Sequence, residues 1–406
     1  MPSIHFARGR VRVRVAASRA ALIAVLTIIA TGAVAADEPP GTLVWFGSYT
    51  GAPPKAEGIS VARLDLRTGR LSAPELAATL KNPSFVALHP ALPVLYAVSE
   101  VDDADGQRAG SLTALAIDRA TGRLTPLNHQ VTGRGTPCHV SVDRSGKAAL
   151  AANYGGGSTV CLGIEADGRL RPLVAGTPGG HLQHVGRSVH PERQAAPHGH
   201  SIDPSPDGRF AISCDLGIDK VLVHALDVGR GTLAFHTGAS VKPGAGPRHL
   251  ALHPDGRHAY CINELDLTVT AFNWDAANGS LTEIQSLSTL PDDVVERTGF
   301  STAEIAVHPT GRFLYGSNRG HDSIAVYAID AGTGRLTFRG VEPIRGRTPR
   351  NFAIDPTGRW LLAAGQDSHT VTVFRIDEDT GALTFTGQTV PVPTPVCVCF
   401  DRVTVR

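Results

Sequence analysis

The sequence predicts an all-β protein, a seven-bladed β-propeller, from three observations. A Gly-x-Leu tripeptide that closes a polar turn occurs seven times, at intervals of 46 to 63 residues, and recurrence near 50 residues is typical of radial repeats. Six of these turns follow the same longer unit, in which two apolar segments flank a turn of the HPxGR or DPxGR type. The composition agrees, because 44 Gly and 28 Pro accompany only 18% charged residues. The tripeptides begin at Gly69, Gly122, Gly168, Gly231, Gly279, Gly334 and Gly381.

Each repeat reads as three to four short strands. The apolar segments before and after the Pro-Gly turn give two strands, and residues 371–376 (VTVFRI) show the alternation expected of a third. The first unit lacks an inner strand, whereas the final run 395–400 (PVCVCF) is a strand with no turn after it. We therefore predict that the C-terminal strand completes the N-terminal blade and closes the ring, which removes an exposed edge. Six or eight blades are the alternatives.

The N-terminus has the pattern of a secretory signal peptide. Five Arg precede an apolar stretch at residues 20–30, and Ala33-Val34-Ala35 is a small-x-small cleavage site. The predicted organisation is a signal peptide at 1–35, a short linker at 36–41 and a single propeller domain at 42–406. A membrane anchor is the alternative, which the short, Ala-rich apolar segment disfavours. We therefore expect a periplasmic or secreted protein, with no membrane contact once the signal is removed.

Charge and cysteine content narrow the possible partners. Removal of residues 1–35 leaves 33 basic and 37 acidic side chains, a net charge of −4. No basic cluster interleaved with aromatics is present, so no nucleic-acid partner is expected. The six cysteines lie in predicted strands and are interpreted as small buried side chains, with one disulfide as the alternative. The expected partner is a small molecule, and the sequence does not predict the oligomeric state.

Polar residues recur where inner strands begin and second strands end, the positions that meet over one mouth of a propeller channel. A ring of Arg, His and Glu around one cavity can bind an anionic small molecule and move protons. The candidates at these positions are Glu100, His139, Asn153, Tyr154, His198, His200, Asp215, Arg248, His249, Asn263, Glu264, Glu304, Asn318, Arg319, Arg350, Asn351 and Asp367.

Seven short segments in order carry a family resemblance: RQAAPHGHS (193–201), DLGIDKV (215–221), GPRHLALHP (246–254), NEL (263–265), STAEIAVHP (301–309), SNRGHDSIAVY (317–327) and PRNF (349–352). Over residues 42–400 the chain resembles the lactonase-type seven-bladed propellers, which include the bacterial propeller 6-phosphogluconolactonases and, more distantly, the carboxy-muconate lactonizing enzymes. The resemblance implies a metal-independent lactone site. Its working groups correspond to His200 or its neighbour His198, Arg248, Glu264 and Arg319.

Residue chemistry suggests the role of each group. Lactone hydrolysis needs a base for water and stabilisation of the oxyanion, and Glu264 or a histidine of the PHGH segment is the candidate base. Arg248 and Arg319 stay protonated, so they are expected to clamp an anion. Further substrate-binding candidates are Asp215, Asn263 and Arg350. No cofactor and no metal are predicted, and the substrate is expected to be an anionic lactone.

Several alternatives stay open at this point. The same residues could close a lactone on an unsaturated dicarboxylate, or the propeller could bind a ligand or protein without catalysis. A metal-dependent gluconolactonase site would need oxygens from Glu100, Asn153, Asp215 and Asn263. Arg319 and Glu264 could simply neutralise each other, and His198 could bond only to backbone. Two features are interpreted as structural, namely the histidines of the HP turns (His89, His253 and His308) and an ion pair among Asp215, Asp219 and Lys220. The insertion at 179–196 is either a lid or a solvated loop.

Overall fold

The computed structural model describes residues 41–51, 55–173 and 179–401, and the predicted signal peptide lies outside these residues. The described chain forms seven antiparallel sheets of four strands each, which confirms the seven-bladed prediction. In the blades numbered 2 to 7 here, four consecutive strands run in chain order from the central channel outwards. One short 3-10 helix, Leu216–Ile218, follows the second strand of blade 4.

The strands of blades 2 to 4 are listed in chain order. Blade 2 contains β4 (Val86–Leu88), β5 (Val94–Ser99), β6 (Ser111–Ile117) and β7 (Leu124–Val131). Blade 3 contains β8 (Pro137–Val142), β9 (Ala148–Asn153), β10 (Ser158–Gly163) and β11 (His181–Gln183). Blade 4 contains β12 (Gly199–Pro204), β13 (Phe210–Asp215), β14 (Lys220–Asp227) and β15 (Thr232–Ser240).

The strands of blades 5 to 7 follow the same plan. Blade 5 contains β16 (Pro247–Leu252), β17 (His258–Asn263), β18 (Thr268–Asp275) and β19 (Ser280–Ser288). Blade 6 contains β20 (Ser301–Val307), β21 (Phe313–Arg319), β22 (Ser323–Ile329) and β23 (Leu336–Pro343). Blade 7 contains β24 (Pro349–Ile354), β25 (Trp360–Gly365), β26 (Thr370–Ile376) and β27 (Leu383–Pro391).

Blade 1 is assembled from both ends of the chain, as the sequence predicts. Its three N-terminal strands are β1 (Thr42–Ser48), β2 (Gly58–Leu64) and β3 (Glu75–Thr79), and its inner strand is the C-terminal β28 (Pro395–Phe400). Strand β28 pairs antiparallel with β1, with Val44 opposite Phe400 and Phe46 opposite Val398. The ring is thereby closed by hydrogen bonds, and the inner edge of β1 is paired.

The hydrophobic core lies between the blades. The second strands β5, β9, β13, β17 and β25 are buried at all six positions, because each is covered on both faces by its neighbouring blades. Five of the six cysteines belong to this packing as buried thiols, namely Cys138, Cys161, Cys214, Cys261 and Cys397. In the described residues no helix is long and apolar enough to cross a membrane.

The Gly-x-Leu turns join the third and outer strands, and they also fasten each blade to the preceding one. All seven glycines have φ between +62° and +89°, the left-handed region that favours glycine. The carbonyls of Gly168, Gly334 and Gly381 accept hydrogen bonds of 2.8–2.9 Å from tyrosine hydroxyls on the second strand of the blade before. Because glycine has no side chain, it permits both the left-handed backbone conformation and the close approach of the two blades.

We predict that Gly381→Ala destabilises the protein more than Gly256→Ala. Both glycines have φ near +70°, but a Cβ on Gly381 would lie 2.5 Å from the Phe313 ring, whereas a Cβ on Gly256 meets no atom within 4 Å. The left-handed backbone costs each alanine about 1–2 kcal/mol, and overpacking adds about 1–3 kcal/mol at Gly381 alone. Urea unfolding of the two variants checks this. Equal losses of stability would contradict the blade-contact argument.

The histidines of the HP turns also connect neighbouring blades. His253 bonds through Nε2 to the Gly311 carbonyl at 2.8 Å, and His308 bonds in the same way to the Gly358 carbonyl at 2.7 Å. His89 makes the equivalent contact to Gly146. Their Nδ1 atoms accept from backbone N–H groups of their own turns, from Ala91 and Leu92 at His89, Asp255 at His253 and Thr310 at His308. These contacts agree with the predicted structural role, and each histidine joins its own turn to the next blade.

Candidate active site

A cavity of about 300 Å³ opens at the mouth of the channel where inner strands begin and second strands end. Its position follows from the propeller topology, since the starts of β8, β12, β20 and β24 converge there with the ends of β5, β9, β17 and β21. Four of the residues implied by the family resemblance come together in or beside it. The cavity is lined by Glu100, Cys138, Tyr154, Arg193, His200, Glu264, Ser301, Arg319 and Arg350.

Glu264 is the centre of this site. It follows β17 directly, and its buried carboxylate meets three guanidinium groups. Oε2 accepts from Nε of Arg248 at 3.0 Å and lies 3.0 Å from Nη2 of Arg319. Oε1 accepts from Nη2 of Arg193 at 2.6 Å. Burial alone would raise the pKa of this carboxyl, but the cations of Arg319, Arg248 and Arg193 outweigh burial and lower the pKa to about 2.

His200 lies beside this carboxylate on strand β12. Its Nε2 is 3.9 Å from Oε2 of Glu264, and its Nδ1 is 3.7 Å from the Cys138 sulfur. Burial, followed by the positive charge of Arg248, holds the pKa of His200 well below its usual value. The imidazole is therefore neutral at physiological pH and retains a nitrogen that can accept a proton.

Arg350 forms the opposite wall of the cavity. Its guanidinium lies over the Tyr49 ring, 5.3 Å from the ring centroid, and the Tyr49 hydroxyl donates to Glu100 at 2.9 Å. Among the described residues, the Arg350 guanidinium has no hydrogen bond or ion pair. It is consequently a cation on the cavity wall that a bound anion could pair with directly.

A cluster of aromatic and polar side chains closes the channel beneath the cavity. Nε2 of His249 accepts from Nη1 of Arg248 at 3.2 Å, and Nδ1 of His249 donates to Oε1 of Glu304 at 3.0 Å. The His139 ring packs 5.3 Å from the His249 ring, and Asn351 donates to Glu304 in a short hydrogen bond. This cluster fixes Arg248 from below. His139, Glu304 and Asn351, predicted at the rim, are thus part of the floor.

Four predicted catalytic or substrate-binding residues do not line the cavity, namely Arg248, which lies behind Glu264, and Asp215, Asn263 and His198. Asp215 is fully buried, accepts from the backbone N–H groups of His198 and Gly217, and lies 2.6 Å from Nδ1 of His184. Asn263 donates to Thr268 and Thr270. His198 stacks on Tyr154 at 4.5 Å and bonds to the Tyr154 carbonyl. The polar groups of Asp215, Asn263 and His198 thus hold loops in this structure, and their contact with substrate stays a prediction.

The insertion at 179–196 supplies a residue that the sequence analysis missed, Arg193. The insertion is anchored by the buried Gln194, which donates to the Leu216 carbonyl and to Oδ1 of Asp219. Asp219 also accepts from Ser188, so it holds the insertion at two points in its C-terminal half. The insertion is thus neither a detached lid nor a solvated loop, and no ion pair joins Lys220 to Asp215 or Asp219 in the described residues.

The four oxygens considered for a metal site do not assemble. Only Glu100 lines the cavity, whereas Asn153 donates to Thr132 and Ser158 and the other two are held as described above. Within the described residues, the one group of three potential ligands is His253, Asp255 and His258. These residues are engaged with one another and with the HP turn at the far end of β16. The cavity itself offers guanidinium groups, which disfavour a dication.

Comparison with known proteins identifies the family. Residues 43–400 match the family described as "Lactonase, 7-bladed beta-propeller", which covers nearly the whole propeller. The chain belongs to the seven-bladed lactonase family. The 6-phosphogluconolactonase of Bacillus subtilis is 39% identical over 358 residues, which is 88% of this chain and 97% of that protein. The 6-phosphogluconolactonase of Formosa agariphila is 33% identical over 76% of this chain and 85% of that protein.

A solved structure agrees with this assignment to the lactonases. The periplasmic gluconolactonase of Pseudomonas aeruginosa superimposes with a TM-score of 0.81 at 32% identity, over 89% of this chain and 99% of that one. The predicted resemblance to lactonase-type propellers is therefore confirmed. Within this lactonase, the Arg-rich cavity around Glu264 is the candidate active site.

Proposed function

We propose that the protein is a lactone hydrolase that opens a sugar-acid or related lactone. One observation carries the proposal in a lactonase-family chain: the buried Glu264 carboxylate is held among Arg248, Arg319 and Arg193 at a cavity that also presents the neutral His200. The cavity thus combines candidate bases with fixed positive charge, the two requirements of ester hydrolysis.

The reaction makes one bond and breaks another. A water oxygen forms a bond to the lactone carbonyl carbon, and a base takes one proton from that water. The resulting oxyanion is stabilised by guanidinium groups, of which Arg319 lies on the cavity wall. The ring C–O bond then breaks, and the proton passes to the leaving alkoxide. The product is an open hydroxy acid, which ionises at neutral pH.

Glu264 and His200 are the two candidate bases. Glu264 is ionised throughout the physiological range, since its pKa is about 2. His200 is neutral, and its Nε2 faces the same carboxylate at 3.9 Å. We assign the proton transfer to Glu264, with His200 as the adjacent neutral group that can receive a proton and pass it to the alkoxide.

The substrate is inferred to carry an anionic group. Arg350 forms no direct ion pair among the described residues, and Arg193 is partly exposed at the cavity mouth beside Glu264, so both guanidinium groups lie where a carboxylate or phosphate could bind. We further propose that the protein is exported, on the basis of the N-terminal Arg-rich and apolar pattern. An exported member would seldom meet a phosphorylated metabolite of the cytoplasm, which favours a carboxylate over a phosphate as this anionic group.

A pH-stat screen of the mature protein tests the proposal. We expect acid release from δ- or γ-lactones, with and without a phosphate group, above the spontaneous rate, and we expect EDTA to leave the rate unchanged. An unsaturated dicarboxylate belongs in the same screen, because its cyclisation would assign the site to an isomerase instead. Silence with every lactone, from protein shown to be folded by circular dichroism, would contradict the hydrolase proposal.

A further inference from the structure

The two oxygens of Glu264 are held differently. Oε2 contacts Arg248 and Arg319, and it is also the oxygen nearest His200. Oε1 has one partner among the described residues, Nη2 of Arg193 at 2.6 Å. Oε1 is therefore the less engaged oxygen, and a water that uses it as a base has to share it with Arg193 or replace Arg193 there.

The three arginines also differ in how firmly they are held. Side-chain exposure is 3% for Arg248, 15% for Arg319 and 39% for Arg193. Arg248 and Arg319 donate additionally to the backbone carbonyls of Ala303 and Thr302, respectively, which fixes them in place. Within the part of the chain that the structure describes, the Arg193 guanidinium has one further partner, the Tyr154 hydroxyl at 3.1 Å. Of the three, Arg193 is the one that can leave Glu264 without breaking backbone contacts.

The backbone that carries Arg193 is fixed, although its side chain is exposed. The neighbouring Gln194 is fully buried and accepts from the backbone N–H of His190, in addition to its bonds to Leu216 and Asp219. A rotation of the Arg193 side chain is thus possible without movement of the insertion. The guanidinium would sweep across the cavity mouth that Glu264 and Arg350 line.

We infer that Arg193 is a substrate-operated latch that selects anionic lactones and frees the catalytic carboxylate when one binds. The inference rests on the proposed hydrolase function. In the resting site Arg193 occupies Oε1 of Glu264. A carboxylate or phosphate on the substrate competes with Glu264 for this guanidinium, because either group can accept two parallel hydrogen bonds from it. The exchange leaves Oε1 open to water, and no covalent bond changes in this step.

The exchange also changes the basicity of Glu264. The charged and titratable groups that face its carboxylate are Arg193, Arg248, Arg319, His200 and, across the cavity, Arg350. When Arg193 leaves, one of three contacting cations is lost, so the carboxyl binds a proton more readily. An uncharged lactone cannot draw Arg193 away, and it therefore meets a site whose base is still occupied.

Two variants in the same insertion test the latch. Arg193→Gln removes the guanidinium, whereas Arg187→Gln removes an exposed arginine outside the cavity lining and serves as the control. Each is assayed on a phosphorylated aldonolactone and on its unphosphorylated counterpart. For Arg193→Gln we expect kcat/KM to fall about 10- to 100-fold for the anionic lactone and kcat to rise severalfold for the uncharged one. Arg187→Gln should match the wild type on both.

The opposite signs of the two changes distinguish the latch from a purely structural residue. Loss of both activities by the same factor, or no difference from Arg187→Gln, would overturn the inference. The acid limb of kcat/KM should also move to higher pH in Arg193→Gln, because the Glu264 carboxylate then protonates at higher pH. Should the wild type open no lactone, the proposed function fails by itself. The affinity for a phosphorylated aldonate, measured by calorimetry, still tests the latch. The inference is overturned if Arg193→Gln binds this aldonate as tightly as the wild type does.

Discussion

Replacement of Glu264 by Gln is expected to reduce lactone hydrolysis by about 10²- to 10⁴-fold, the usual contribution of a general base. The amide keeps the size of the side chain but cannot take a proton from water. It also leaves Arg248 and Arg319 buried without their carboxylate. Removal of one partner from a buried ion-pair network costs about 3–5 kcal/mol, so the free energy of unfolding should fall as well. Activity is therefore measured well below the unfolding transition.

Two further variants distinguish the loss of a catalytic base from the loss of the ion-pair network. Glu264→Asp keeps the negative charge but withdraws the carboxylate, so it should recover most of the stability and little of the activity. Glu192→Gln makes the same chemical change at an exposed position of the nearby insertion and should be silent in both assays. If Glu264→Gln retains activity within about threefold of the wild type, Glu264 only neutralises the surrounding arginines, and the proton transfer has to be assigned to another group.

The repeat made the fold and its closure predictable. Every blade carries a turn whose glycine is needed at positive φ, and the unmatched strands at the two ends, residues 43–46 and 395–400, fit each other in one blade. Since the register of each blade follows from its turn, the positions over the channel mouth could be identified from sequence. His200, Arg248, Glu264 and Arg319 were found in this way, and the structure brings them together.

The errors at the site have two physical causes. Arg193 lies in an insertion outside the repeat, so the register of the blades does not predict where its side chain points. The residue is nevertheless part of the segment RQAAPHGHS. Asn263 was placed at the site from its position alone, whereas in the structure it lies outside the cavity lining and donates to Thr268 and Thr270. Asn153 and Asn318 occupy the equivalent place at the end of their strands, and both donate to a backbone carbonyl and a serine hydroxyl nearby. The recurrence of Asn at this position in several blades was the sequence signal for a structural role.

Deletion of residues 395–406 is expected to abolish cooperative folding of the propeller. Val396, Cys397 and Val398 of β28 are buried, and each fully buried side chain of this kind stabilises by about 1.5–3 kcal/mol. The backbone N–H of Val398 also donates to Asn351 at 2.8 Å, which connects the closing strand to blade 7. The free energy lost with these contacts and with the β1–β28 hydrogen bonds is comparable to the whole unfolding free energy of a typical domain, about 5–15 kcal/mol.

The loss of β28 also affects the active site, because among the described residues this strand alone joins the two ends of the ring. Without β28 the inner edge of β1 is unpaired, and Val398 is lost from the hydrophobic cluster that joins blade 1 to Leu362 and Val373 of blade 7. Arg350 and Glu100, from blades 7 and 2, are then no longer held across one cavity. Deletion of residues 402–406 alone keeps β28 and should preserve a sharp urea transition. A truncation at 395 that still unfolds cooperatively, with wild-type activity, would show that strand pairing in blade 1 does not close the ring.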